Sequence, residues 1–196
     1  AGVSISGNGK NLALVAREDV NDAHFDDDAG RILLFTFDDT NFSNATLRGQ
    51  FVYNASGSNN LDTGGDKIRH VALDQDGDRL VYTVDGIDGG TINDTEVSSN
   101  HRVFARTIKF DDTNFTNPQR VGVIGAFINI PVLSNDLDLS ADDTNFTNPK
   151  LSPDVELNAD GSRMALTYYD YAQHADAIHL ISFSDTNFSS PSLTGR

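Results

Sequence analysis

The residues with the plainest chemical potential are four asparagines set in one recurring string. Asp-Thr-Asn-Phe occurs at residues 39–42, 112–115, 143–146 and 185–188, and Ser or Thr follows each copy. Asn-x-Ser/Thr is an N-glycosylation acceptor, which makes Asn41, Asn114, Asn145 and Asn187 candidate modification sites. An acidic residue two positions earlier (Asp39, Asp112, Asp143, Asp185) also fits the extended bacterial acceptor pattern, whereas Asn44, Asn54 and Asn93 meet only the short one. A neighbouring hydroxyl such as Thr40 is a second candidate. The same string has a purely structural reading. Asp and Asn side chains bond their own backbone two residues on, giving an Asx-type turn, and Phe42, Phe115, Phe146 and Phe188 would anchor that corner between repeated units. The two readings are compatible, because one residue packs while another faces solvent.

A second set of candidates is acidic. Asp26, Asp27 and Asp28, then Asp85 with Asp88, Asp94, and Asp136 with Asp138 gather carboxylates within a few residues of one another. Calcium takes six to eight oxygens from carboxylates and from the backbone carbonyls that glycine-rich loops expose. Ca2+ is therefore the expected cation if these loops bind one, and solvated turns are the alternative. None matches the helix-loop-helix calcium loop or the glycine-rich nonapeptide. The five histidines are scattered, with His174 and His179 expected at the surface or in turns. No HExxH, Gly-x-Ser-x-Gly or phosphate-binding glycine loop is present. Tyr168, Tyr169 and Tyr171 offer either an aromatic platform for a sugar or simple alternation on a strand.

These residues must be held by repeated elements. Residues 3–14, 71–82 and 155–166 align, each with an alternating apolar run, then Asn8-Gly9, Asp76-Gly77 or Asp160-Gly161, then a second apolar run. Such a dipeptide between alternating runs signals a β-hairpin. Strands rich in β-branched and aromatic residues (31–37, 102–110, 177–183) then run into the tetrapeptide, and a short fourth strand follows it at 45–49, 118–122 and 191–195. Four antiparallel strands per repeated unit is the pattern of a β-propeller blade. The phenylalanines of the string are 73, 31 and 42 residues apart, and wrapping through the termini adds 50, for a mean of 49. The expected fold is all-β, a small propeller of four-stranded blades in one domain, 1–196. Its repeats are approximately 1–50, 51–120, 121–150 and 151–196, the third degenerate and the second enlarged by inserts at 54–66 and 85–100.

The hairpins resemble the repeat of TolB-type β-propellers, whose blades carry a Ser-Pro-Asp-Gly-Lys-Arg-Ile-Ala-Tyr-like string. Residues 73–82 and 157–166 match its apolar and Asp-Gly positions, and residues 5–14 match with Asn for Asp. The usual proline is missing in all three. The resemblance implies a propeller, often extracytoplasmic, and implies no chemistry.

A formal charge of −15 disfavours nucleic acid and insertion into anionic membranes. With no cysteine, disulfides and thiolate metal sites are excluded. These features lead us to expect a non-enzymatic structural or adhesive module, extracellular or at the cell surface (alternatively periplasmic), partnered by copies of itself. The second expectation is a lectin-like propeller that binds glycans, and the third a polysaccharide hydrolase or lyase.

Overall fold

The structure, a computed structural model, describes residues 2–17, 30–52, 55–63, 67–84, 91–92, 95–96, 102–126, 132–139, 154–170 and 175–196. Among these residues the chain is all-β, with no helix. Strands β1 (Val3–Ile5), β2 (Asn11–Arg17), β3 (Gly30–Thr36) and β4 (Thr46–Val52) form an antiparallel meander, and β5 (Leu61–Asp62) adds to β4 in parallel. The second sheet begins with β6 (Ile68–Leu73) and β7 (Arg79–Val84). A separate short pair follows, β8 (Thr91–Ile92) with β9 (Thr95–Glu96). Strands β10 (Arg102–Lys109) and β11 (Gln119–Ala126) then complete the second meander, and β12 (Leu137–Asp138) adds to β11 in parallel. The third sheet is β13 (Asp154–Leu157), β14 (Arg163–Asp170), β15 (Ala175–Ser182) and β16 (Ser192–Gly195).

Every meander opens with the hairpin that Asn-Gly or Asp-Gly predicts. The loops span residues 7–10, 75–78 and 159–162, closed by the N–H of Ser6, Asp74 and Asn158 on the carbonyls of Asn11, Arg79 and Arg163 at 2.9, 3.2 and 3.0 Å. Gly9, Gly77 and Gly161 have φ of 71°, 83° and 70°, a left-handed conformation that side chains resist. The side chain before each loop closes it further. Ser6 Oγ, Asp74 Oδ1 and Asn158 Oδ1 accept the N–H of Asn11, Arg79 and Arg163 at 3.1, 3.2 and 2.8 Å.

Strand alternation decides which face each sheet buries. Ala13, Val15, Ile32, Leu34 and Phe51 leave the first sheet to meet Val71, Leu80, Tyr82, Ile108, Phe110 and Phe115 of the second. Ala72, Val81, Ala105 and Ile124 leave the opposite face of the second sheet to meet Leu166, Ile181, Phe183 and Phe188 of the third. The core is thus two slabs, one per joint between consecutive sheets, and β6 lies against both β1 and β13.

The structure corrects two expectations about the segments between repeats. Residues 121–126, placed in a degenerate third repeat, continue β11 of the second sheet, and 137–138 form its fifth strand. Residues 55–62, read as an insert in the second repeat, instead supply the fifth strand of the first. The two added strands share the string Ser-Asn-Asn/Asp-Leu-Asp at 58–62 and 134–138. Asn60 Oδ1 accepts the N–H of Gln50 at 3.0 Å, and Asp136 Oδ1 accepts that of Val123 at 2.9 Å. Gly49 and Gly122 let the added strand approach, since a Cβ on either would run into the carbonyl of Asn59 or Asn135. At Gly195 a Cβ would meet only the Leu180 side chain, at 3.2 Å. Gly122→Ala is therefore expected to destabilise by about 1–3 kcal/mol through overpacking, and Gly195→Ala by much less, measured by urea unfolding.

Candidate functional site

The described copies of Asp-Thr-Asn-Phe form the same corner, joining the third and fourth strands of each sheet. Asp39 Oδ1 accepts the N–H of Asn41 at 2.9 Å and of Ser43 at 3.2 Å, while Ser43 Oγ donates to Asp39 Oδ2 at 3.0 Å. Asp112 takes the N–H of Asn114 and Thr116 at 2.9 and 3.3 Å, and Asp185 takes those of Asn187 and Ser189 at 2.8 and 3.2 Å. This tether holds the phenylalanine between them at φ of 60°, 62° and 62° for Phe42, Phe115 and Phe188. A bulky residue with positive φ costs roughly 1–3 kcal/mol. Phe115 and Phe188 offset that cost by full burial, each edge-on to the preceding Phe110 or Phe183 with ring centroids 5.0 and 4.9 Å apart. Phe42 differs. It keeps its edge contact with Phe37 at 5.1 Å but is 50% exposed, and no other sheet among the described residues packs over it.

The corners of the second and third sheets are also where the previous sheet takes hold. Asn11, the first residue of β2, donates from Nδ2 to the carbonyl oxygen of Thr113. Arg79, the first residue of β7, donates from Nε to the carbonyl of Thr186 at 2.6 Å and from Nη2 to Asn187 Oδ1 at 3.1 Å. The hairpin loops add a second line of contact: Asn8 N–H to the Gln75 carbonyl at 3.0 Å and Gln75 N–H to the Ala159 carbonyl at 2.8 Å. Between the first strands of consecutive sheets, the Leu73 N–H donates to Ser4 Oγ at 2.9 Å, and His70 Nδ1 lies 3.1 Å from Asp154 Oδ1.

The side chains of Asn41, Asn114 and Asn187 are exposed on these corners, while Asn145, Asp143 and Phe146 lie outside the described residues. Among the described residues no calcium site comes together. Asp26, Asp27, Asp28, Asp85, Asp88 and Asp94 lie outside the described residues, and no group of three or more His, Asp or Glu with metal-binding geometry occurs among those described. Asp136, expected as a ligand, is buried and occupied as a turn cap, its Oδ1 taking the Val123 N–H and its Oδ2 the Leu133 N–H at 3.0 Å. Asp138 sits in β12, half-buried. His179, expected at the surface, is fully buried in the middle of β15 opposite Leu166. Arg106 holds the equivalent register in β10, opposite Tyr82, and is also buried. Neither was visible in the sequence, since a polar residue on a strand reads as solvent-facing until its neighbours are known.

The corner carboxylates are acidified. Bonds from the Ser43 and Ser189 N–H groups lead in lowering Asp39 and Asp185. At Asp112, desolvation is the largest influence and pushes upward, but the bonds from Thr116 and Asn114 together outweigh it and the net shift is down. Asp74 goes the other way. Burial, exceeding the bonds from the Gly77 and Arg79 N–H groups, raises its carboxyl to about 6.

Three outcomes follow from this geometry. Phe115→Ala and Phe188→Ala should each cost about 3–5 kcal/mol, and Phe42→Ala no more than about 0.5 kcal/mol, by chemical denaturation. A depressed folded pKa means that the corners stabilise fully above the unfolded Asp value of ~3.9 and lose that contribution as pH falls through the lower folded value. Replacing Asp112 by Ala should therefore lower Tm at pH 7 and matter progressively less in acid. Asp74 has the opposite sign: its carboxylate costs stability as pH rises from the unfolded value towards 6. Asp74→Asn keeps the acceptor, as Asn158 does in the third sheet, and should raise Tm by about 2–4 °C at pH 7.5, with the gain vanishing near pH 4 in a pH series of melts.

No known protein family matches the chain, and no curated protein does. Among solved structures, it is similar to a chain in a complex of KlAtg21 with the coiled-coil of AgAtg16, at 15% identity and a TM-score of 0.47, a likeness too slight to carry an argument. The match covers 95% of this chain and 41% of that one, so the present chain spans less than half of that chain's length.

Proposed function

We propose that this chain is a non-enzymatic β-propeller-type module, secreted or displayed at the cell surface, with a structural or adhesive role exercised through association with copies of itself and with glycans on its corners. The observation that carries the reading is the manner in which consecutive sheets join. First strand lies beside first strand, loop on loop, and the corners of the second and third sheets each receive a side chain from the sheet before. Four-stranded antiparallel units meeting in this way suit a propeller, and the TolB-like hairpins supply the inner strand pair of every unit. The polar groups at the joints are engaged in holding sheets together, which favours a scaffold over a catalyst. The glycan component rests on Asn41, Asn114 and Asn187, whose side chains are exposed, while the Asp before each and the Ser or Thr after it are occupied in the turn.

Intact mass of the protein isolated from its source, combined with protease shaving of intact cells, tests the reading. The expected result is a mass above that of the bare polypeptide, reduced stepwise by Asn41→Gln, Asn114→Gln and Asn187→Gln, and removal of the protein by shaving. Asn→Gln is the appropriate substitution because Ser43 and its equivalents also close the corner. A bare mass together with protection from shaving overturns the reading.

A further inference from the structure

Apart from Val132 and Leu133, the large apolar side chains left exposed among the described residues fall on two faces. Val3, Ile5, Phe42 and Leu47 lie on the outer face of the first sheet, Ile178 and Leu180 on the outer face of the third, each between 47% and 62% exposed. Except at Leu47, whose counterparts Arg120 and Leu193 are exposed and half-buried, these positions are the ones that the internal joints bury. Val3 and Ile5 pair with Leu14 and Leu12 as Val71 and Leu73 pair with Tyr82 and Leu80, and Val71 and Leu73 are buried against the first sheet. Phe42 holds the place of buried Phe115 and Phe188. At the other end, Ile178 and Leu180 pair with Thr167 and Ala165 as Ile32 and Leu34 pair with Val15 and Ala13, and Ile32 and Leu34 are completely buried against the second sheet.

The polar fittings match in the same way. Arg163 opens β14 as Asn11 opens β2 and Arg79 opens β7, and its side chain is exposed. The corner of the first sheet presents the acceptors that the other two corners use, the Thr40 carbonyl and the Asn41 side chain. A groove of about 520 Å³ on the third sheet has Glu156, Arg163, Ala165, Leu180 and Thr194 in its wall. Its place corresponds to the part of the first sheet around Ala13 and Leu34, which helps to enclose Phe115.

We propose that the third sheet of one copy docks on the first sheet of a second copy, head to tail, reproducing the internal joint: Leu180 and Ile178 cover Val3 and Ile5, Phe42 enters the groove, and Arg163 donates to the Thr40 carbonyl and Asn41 Oδ1. The occupant is a second copy because both halves of the joint are carried by one chain and two worked examples of it lie within that chain. Such a contact is heterologous, so it either closes a ring or propagates. The inference rests on the self-association in the proposed function and specifies its geometry.

Light scattering of the full chain over a concentration series reads the joint directly. The mass is expected to rise with concentration for the native sequence and to stay monomeric for Leu180→Asp (tail blocked) and for Ile5→Asp (head blocked). An equimolar mixture of the two variants should give a species of two chains and nothing larger, because it contains one intact joint and two blocked ends. Arg163→Ala should weaken association about tenfold, the loss of roughly 1.4 kcal/mol. Both aspartate positions are exposed, and unchanged melting curves verify that the variants fold. Association indifferent to both substitutions, or a mixture that stays monomeric, overturns the joint while leaving self-association by another surface intact. A monomer at every concentration overturns both, whereas glycans and surface display are read independently from the native material.

Discussion

The interaction on which the rest depends is a carboxylate closing a ring of backbone N–H groups. In each described corner the first Asp of Asp-Thr-Asn-Phe accepts from the residues two and four positions later. That clamp reverses the chain between the third and fourth strands and forces the intervening Phe into a left-handed conformation. Without the clamp, a bulky side chain has no reason to adopt positive φ. With it, Phe115 and Phe188 enter the core shared with the preceding sheet, and the carbonyls of Thr113 and Thr186 receive that sheet's donors. One acid therefore sets strand order, core packing and the coupling between sheets together.

Much of this was legible in the sequence, for identifiable reasons. The hairpins at Gly9, Gly77 and Gly161 were readable because only a few residue types accept the backbone angles involved. The third strands were readable from β-branched and aromatic runs ending at the corner. The repeat boundaries were less so. Residues 121–126 resemble the start of a new unit, yet they extend β11, because a strand's length depends on what pairs with it and β12 pairs with it from outside. The Ser-Asn-Asn/Asp-Leu-Asp strings at 58–62 and 134–138 are a genuine second repeat, hidden by polar composition that reads as loop. Asp136 looked like a cation ligand for the same reason. A carboxylate that caps N–H groups and one that binds a metal are the same residue in sequence and differ only in what surrounds them. His179 illustrates the converse, a polar side chain whose burial is decided wholly by the sheet packed over it.

Because the apolar core is divided into a slab per joint, each sheet is stabilised chiefly by its immediate neighbours. That is the energetic structure of a repeat array, in which stability is a sum of intrinsic and nearest-neighbour terms. The middle sheet buries both faces and the outer two bury one each, so apolar exposure concentrates at the ends. The short parallel strands β5 and β12 pair two residues each along the edges of β4 and β11, reducing the open ladder that would otherwise invite further pairing.

The donors at the joints reach mainly main-chain oxygens. Asn11 and Arg79 differ in length, charge and shape, yet both seize the carbonyl of the threonine in the following corner. A latch that reads backbone places little demand on what the residues at either side are, provided that one can donate and the other is folded into the corner. Sequence can therefore drift at the joint without the two sides having to change in concert. A unit copied to a new place in the gene would arrive already fitted to its neighbours. Duplication, usually a hazard to a folded domain, becomes for this architecture an inexpensive way to grow.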